Sequence, residues 1–94
     1  MSYSLSDEAQ SDLNDITEYG IVTFGMEHTR SYLDGLKKHL SLLCEMPEMG
    51  VVITTPIRSY RRTVYRNRAI YYVVENDDVV IVRILGAQDS SALL

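Results

Sequence analysis

The sequence is poor in the features that staple, anchor or arm a small protein. Its single cysteine, Cys44, has no partner for an internal disulfide, which suits a reducing compartment. No apolar run approaches the roughly 18 residues that a membrane span needs. The opening MSYSLSDEAQ has neither the basic region nor the apolar run of a signal peptide, so a cytoplasmic location without membrane contact is expected. There is no acidic residue between Met49 and Val74, and no histidine or lysine from Leu40 onward. No glycine-rich phosphate loop and no internal repeat are present, and His28 and His39 complete no zinc ligand set. Neither a cofactor nor a metal is expected.

What is present describes a folded chain. Ninety-four residues leave room for one core, so a single domain over 1–94 is expected. A composition 46% hydrophobic and 23% charged argues against intrinsic disorder. The net charge of −4 is unevenly divided: residues 1–50 hold nine acids against three bases, and residues 51–94 hold six arginines against four acids. Five of those arginines fall in RSYRRTVYRNR, residues 58–68. Such asymmetry bears on partners and encounter, not on fold.

Periodicity supplies the elements. Ser6 is placed to cap a helix whose first turn carries Asp7 and Glu8, where carboxylates favour the positive helix end. Ala9, Leu13, Ile16, Gly20 and Phe24 continue it as an apolar stripe. Gly20 implies either a weak point or a close neighbour, since glycine costs about 1 kcal/mol in a helix relative to alanine. Gly25 breaks the helix, and Met26 to Glu45 predicts a second one with the stripe Thr29, Tyr32, Leu33, Leu36, Leu40 and Leu43. So short a link makes the two an antiparallel hairpin. Pro47 and Gly50 end it. VVITTP reads as a loop or edge piece. Three β-like runs follow, Arg58–Val64, Arg68–Val74 and Val79–Leu85, the last two joined by the tight turn ENDD. AIYYVV is apolar on both faces, as a central strand would be. With one more strand at the N-terminus, the expected class is α+β, with a helical hairpin on one face of a small antiparallel β-sheet.

The order of these landmarks resembles the ParE toxins of the RelE/ParE toxin–antitoxin superfamily along nearly the whole chain. The segments that carry the resemblance are LSDEAQSDLNDI (5–16), Phe24–Gly25, YLDGL (32–36), MPEMG (46–50), IRSYRR (57–62), IYY (70–72), ENDD and IVRIL (81–85). Their order and spacing are specific; no single one of them is. Many relatives continue after the last segment with a histidine, where this chain has Gly86, so no role attached to that position carries over. The resemblance implies a toxin neutralised by a cognate ParD-like antitoxin, with DNA gyrase as the target in the ParE branch. The RelE-like branch would instead cleave mRNA on the ribosome, and a decayed member would bind only its antitoxin.

Chemistry weighs between these branches. RNA cleavage by attack of the 2′-hydroxyl needs a proton acceptor, a proton donor and positive charge on the phosphate. Arginine supplies only the last. The other groups in the C-terminal half are Tyr60, Tyr65, Tyr71, Tyr72 and Glu75, and an unperturbed tyrosine titrates near pH 10. A chain acidic overall is a poor general RNA binder, and no direct sequence-specific nucleic-acid binding is expected of it. A protein-binding inhibitor is therefore preferred over an enzyme. The target face is expected at Arg58, Tyr60, Arg61, Arg62, Arg66, Arg68 and Arg83, with some of these arginines able to serve as solvated sheet surface or as partners of the acidic helices instead. Removing Arg61 and Arg62 should then abolish toxicity without harming the fold. Antitoxin contacts are expected at Leu13, Tyr19, Tyr32, Leu36, Leu40 and Tyr71. Glu8, Asp12 and Asp15 read as a solvated helix face, Cys44 as a small core residue, and Met26, Met46 and Met49 as core filling or an adaptable surface.

Overall fold

The computed structural model describes residues 1–88. It runs β1 (Tyr3–Leu5), α1 (Asp7–Phe24), α2 (Met26–Glu45), β2 (Val51–Thr54), β3 (Ser59–Tyr65), β4 (Arg68–Glu75) and β5 (Asp78–Gly86). The strands form one sheet in the order β1-β5-β4-β3-β2. An α+β fold with an N-terminal strand and a helical hairpin on the sheet is thus observed. The sheet is mixed and not purely antiparallel: β1 runs parallel to β5, pairing Tyr3 with Val79 and Leu5 with Ile81. The two helices carry the chain from one edge of the sheet to the other, which frees β1 to lie alongside the last strand. VVIT is a true strand, antiparallel to β3, and forms the opposite edge.

Ser6 joins the first helix to the sheet. Its hydroxyl oxygen accepts from the Ala9 N–H at 3.0 Å and donates to the Val82 carbonyl at 2.7 Å, while its own N–H reaches the Ile81 carbonyl at 2.9 Å. One residue therefore caps α1 and closes the end of the β1–β5 ladder. Between the helices Gly25 stands alone with φ +91°, a conformation open to glycine and strained for other residues. At Gly20 a Cβ would lie 2.7 Å from the Thr29 hydroxyl oxygen. The missing side chain is thus what lets α2 approach α1.

Ala9, Ile16, Leu36, Leu40 and Leu43 pack on Ile70, Tyr72, Val79, Ile81 and Ile84. A smaller cluster, Ala69, Tyr71 and Leu85, sits on the other face of the sheet, so β4 is buried on both sides as its sequence implied. The ENDD turn has positive φ at both Asn76 (+52°) and Asp77 (+64°), as a two-residue type I′ hairpin requires. Tyr71 faces Arg83 and Tyr72 faces Ile81, which leaves Val82 as an extra residue in β5. This bulge resets the alternation, so Ile81 and Leu85 belong to opposite faces. Met26, Met46 and Met49 are all exposed, not core filling.

Candidate partner and target surfaces

The arginine strip is not one face. Adjacent residues of a strand point to opposite sides of the sheet, and here Arg61 pairs with Tyr72 of the helix-side core while Arg62 pairs with Tyr71 of the open face. Arg61 donates to the Gly50 carbonyl at 2.8 Å and lies 3.4 Å from that of Glu48. Tyr72 works on the same loop: its hydroxyl donates to the Pro47 carbonyl at 2.8 Å and accepts from the Gly50 N–H at 2.9 Å. Arg61 thus fastens the connection out of α2, and these bonds argue against the expectation that its removal would spare the fold. On the open face Arg62 sits 5.9 Å from the Tyr71 ring centre, donates to the Tyr71 hydroxyl at 3.2 Å, and reaches the Ala87 carbonyl at 2.9 Å.

Arg83 is likewise engaged. Its Nε and Nη2 donate to the two carboxylate oxygens of Asp12 at 2.8 and 2.9 Å, and Glu8 stands 3.8 Å away. Asp12 also accepts from the Ile84 N–H at 2.9 Å, beyond the point where β1 stops pairing with β5. A carboxylate there replaces the missing strand. Asp12 is accordingly not part of a solvated helix face, because the edge of β5 recruits it.

Arg58 is held by the turn before β3, where the Thr55 hydroxyl accepts from the N–H groups of Ile57 and Arg58, both at 3.2 Å. Its guanidinium pairs with Glu75 at 2.9 Å and lies 5.5 Å from the Tyr60 ring centre. Both partners of the ion pair are about half exposed, so this corner remains accessible. Arg66, in the turn after β3, is about 26 Å along the chain from Arg58 at roughly 3.3 Å per residue, and Arg68 lies opposite Tyr65 at the start of β4.

There they meet the helix elbow. Arg66 donates to the Tyr65 hydroxyl at 3.2 Å and lies over its ring at 5.6 Å. The Tyr65 hydroxyl reaches the Tyr32 carbonyl at 3.3 Å, and the two rings meet edge to face at 5.4 Å. Burial pushes the Tyr32 phenol pKa up, against the opposing pull of Arg68. Tyr32, Arg66 and Arg68, together with Ile16, Gly20, Phe24 and Thr29, line an open cavity of about 300 Å³. Phe24 is 58% exposed, packed against Tyr19 and His28 at ring-centre distances of 6.2 and 5.2 Å. Val22 and Met26 are exposed beside it in sequence, so the helix elbow carries several uncovered apolar side chains.

Of the residues expected to meet an antitoxin, Tyr19 is exposed and Leu13 and Tyr32 are half-buried. Leu36, Leu40 and Tyr71 are not available: each is at most 2% exposed, the leucines under the sheet and Tyr71 beneath Arg62. Their periodicity marked a packed face, and the intramolecular core took it. Phe24 and Asn67 were not foreseen as site residues, although the aromatic–glycine pair at the helix break was a usable signal. His39 lies between α2 and β3, 2.5 Å from the Thr63 hydroxyl, and burial lowers its pKa. The Cys44 thiol has its pKa raised, first by burial. Among the described residues no group of histidine, cysteine or acidic side chains could hold a metal ion, and no helix is long and apolar enough to cross a membrane.

The architecture is that of a small α+β protein whose helical hairpin shields one face of a mixed sheet and, among the described residues, leaves the other without a helical cover. The sequence model of the ParE toxin of the type II toxin–antitoxin system, parDE, matches residues 3–90. The chain belongs to that family. It is 31% identical over 83 residues to Toxin ParE1 of Caulobacter vibrioides, covering 88% of this chain and 85% of that protein. Its fold is similar, with a TM-score of 0.77 and 20% identity, to a structure described as the chromosomal ParDE TA system from P. aeruginosa, covering 94% of this chain and 97% of that one.

Proposed function

We propose that this chain is a growth-arresting toxin of the cytoplasm, held inactive by a ParD-like antitoxin, and that once released it inhibits DNA gyrase by binding rather than by catalysis. The observation that carries this reading is how the arginines are used. Arg61, Arg62 and Arg83 are bonded to the chain's own carbonyls, phenol and carboxylate. That arrangement braces the sheet and does not converge on a phosphate. The surface left for a target is the open face and its corner, where Arg58 and Tyr60 are grouped. The uncovered apolar elbow supports an antitoxin seated on the hairpin, since small domains gain stability when a partner covers such area.

The test compares two kinds of damage. Purified chain added to gyrase should block supercoiling or accumulate cleaved DNA, with mRNA intact in a translating extract. Ribosome-dependent mRNA cleavage with unaffected supercoiling would replace gyrase by the ribosome. Neither effect, with antitoxin binding retained, would identify a decayed member.

A further inference from the structure

We propose that the cavity at the helix elbow is a receptor for an acidic residue and the bulky apolar side chain next to it, presented together by the antitoxin. The proposal rests on the antitoxin reading above and specifies the chemistry of the segment that docks. The cavity is two-sided. Ile16 and Phe24 give it an apolar, aromatic wall from the hairpin, edged by the polar groups of Thr29 and Tyr32, and Arg66 and Arg68 give it a cationic one from the β3–β4 turn. Its volume of about 300 Å³ lies at the small end of ligand pockets, enough for one large side chain and a carboxylate. Gly20 lines it where α1 and α2 approach most closely.

Two features of the cationic wall point to an anion. The Arg68 Nε is cut off from solvent yet has no hydrogen-bond partner, and a donor so placed is normally satisfied. Neither Arg66 nor Arg68 has a carboxylate within ion-pair distance among the described residues. Arg66 also occupies a two-residue hairpin turn with φ +54°, where glycine or asparagine would fit without strain. A long cation kept in a conformation that disfavours it marks a position held for something other than the fold. A phosphate would use the arginines and leave the apolar wall idle. A purely apolar side chain would leave the Arg68 Nε without an acceptor and both guanidinium charges with phenol oxygens as their partners.

A small probe tests the cavity by itself. In NMR titrations 3-phenylpropionate should shift the amides of Gly20, Thr29 and residues 66–68, and the neutral 3-phenylpropanamide should bind about tenfold more weakly. Equal binding of the two, or displacement of the acid by a short single-stranded RNA, overturns the proposal. The protein encoded beside this gene, co-produced with the chain, tests the partner. Arg66→Gly and Arg68→Gln should each weaken that complex by about tenfold at low salt, with the gap closing at high salt. Arg66→Gly should leave Tm equal to wild type or higher, which separates lost binding from lost folding. Unchanged affinity in both variants overturns the proposal, as does occupation of the cavity by a second copy of this chain, read as a concentration-dependent dimer that Arg68→Gln abolishes. If the wild-type chain captures no antitoxin, the antitoxin reading fails, and the phenylpropionate comparison alone decides whether the cavity is an anion receptor.

Discussion

Removing either member of the Asp12–Arg83 pair should destabilise the protein substantially, and Asp12→Ala should do so most. The two side chains are 13% and 19% exposed, and Asp12 accepts three bonds between 2.8 and 2.9 Å. Breaking a fully buried pair costs about 3–5 kcal/mol, and the residual exposure here lowers that figure. Stranding the Ile84 N–H adds about 1–3 kcal/mol. We therefore expect about 2–4 kcal/mol for Asp12→Ala and about 2 kcal/mol for Arg83→Met, in which the Ile84 bond survives. At about 4–8 °C per kcal/mol for a domain of this size, Asp12→Ala should lower Tm by about 8–32 °C. Asp12→Asn, which keeps one acceptor, should fall between wild type and Asp12→Ala. The double variant Asp12→Ala/Arg83→Met should lose less than the sum of the singles, with a coupling of about 1–2 kcal/mol in urea unfolding. Growth arrest measured on the same variants decides the role of Arg83. If Arg83→Met keeps the wild-type urea midpoint and loses toxicity, the bracing argument is wrong and Arg83 belongs to the target face.

Three other perturbations probe different joints. Tyr72→Phe deletes the hydroxyl that holds Pro47 and Gly50, and should cost about 2–3 kcal/mol in urea unfolding; a neutral result would show that Arg61 alone secures this loop. Gly20→Ala gains about 1 kcal/mol of helix propensity but places a Cβ 2.7 Å from the Thr29 hydroxyl oxygen, with an overpacking cost of about 1–3 kcal/mol. A net loss that Thr29→Ala partly restores is expected, and a more stable Gly20→Ala would refute the close approach. The pKa of His39 is lowered by burial, so the folded state binds fewer protons than the unfolded state, whose histidine titrates near pH 6.5. Its contribution to stability is therefore present above about pH 6.5 and is lost as the pH falls toward the depressed folded value; the urea midpoint should drop between pH 7.5 and 5.5, and His39→Gln should flatten that drop.

The helices were legible because their cues are local. Ser6, Gly25 and Pro47 punctuate the hairpin, and the leucine spacing of α2 is regular enough to place it between Met26 and Glu45. The ENDD turn and the doubly apolar β4 were readable for the same reason. What escaped depends on contacts distant in sequence. The direction of β1 is decided by β5, more than 70 residues away. The bulge at Val82 has no sequence mark of its own, yet it changes which side chains share a face with Ile81. Asp12 looked like one of several helix-surface acids until the unpaired edge of β5 was beside it. Leu36 and Leu40 show the opposite error, because a regular apolar stripe says that something is covered but not whether the cover is intramolecular. The separation of Arg61 from Arg62 could have been read in advance, since neighbours in a strand cannot share a face.

The same partition resolves how an acidic chain carries so dense a run of arginines. Arg61 and Arg62 spend hydrogen bonds on backbone carbonyls, and Arg83 is neutralised by Asp12 with Glu8 nearby. Arg58 is shared with Glu75. Like Arg61 and Arg62, Arg66 and Arg68, beside the helix elbow, have no acidic partner among the described residues, and Arg66 bonds the Tyr65 hydroxyl. The field that the C-terminal half presents to solvent is therefore weaker than its arginine count suggests. A nucleic-acid surface needs its charges spread along the track of a backbone, with phosphate contacts that dominate affinity and fade with salt. Among the arginines of the C-terminal half, those without backbone or buried partners form two small sites, one at Arg58 and one at Arg66 and Arg68. Each adjoins aromatic rings, Tyr60 in the first case and Tyr65 and Tyr32 in the second. Isolated cations set against aromatic and apolar surface suit contacts with proteins, where a few anchors carry most of the binding energy.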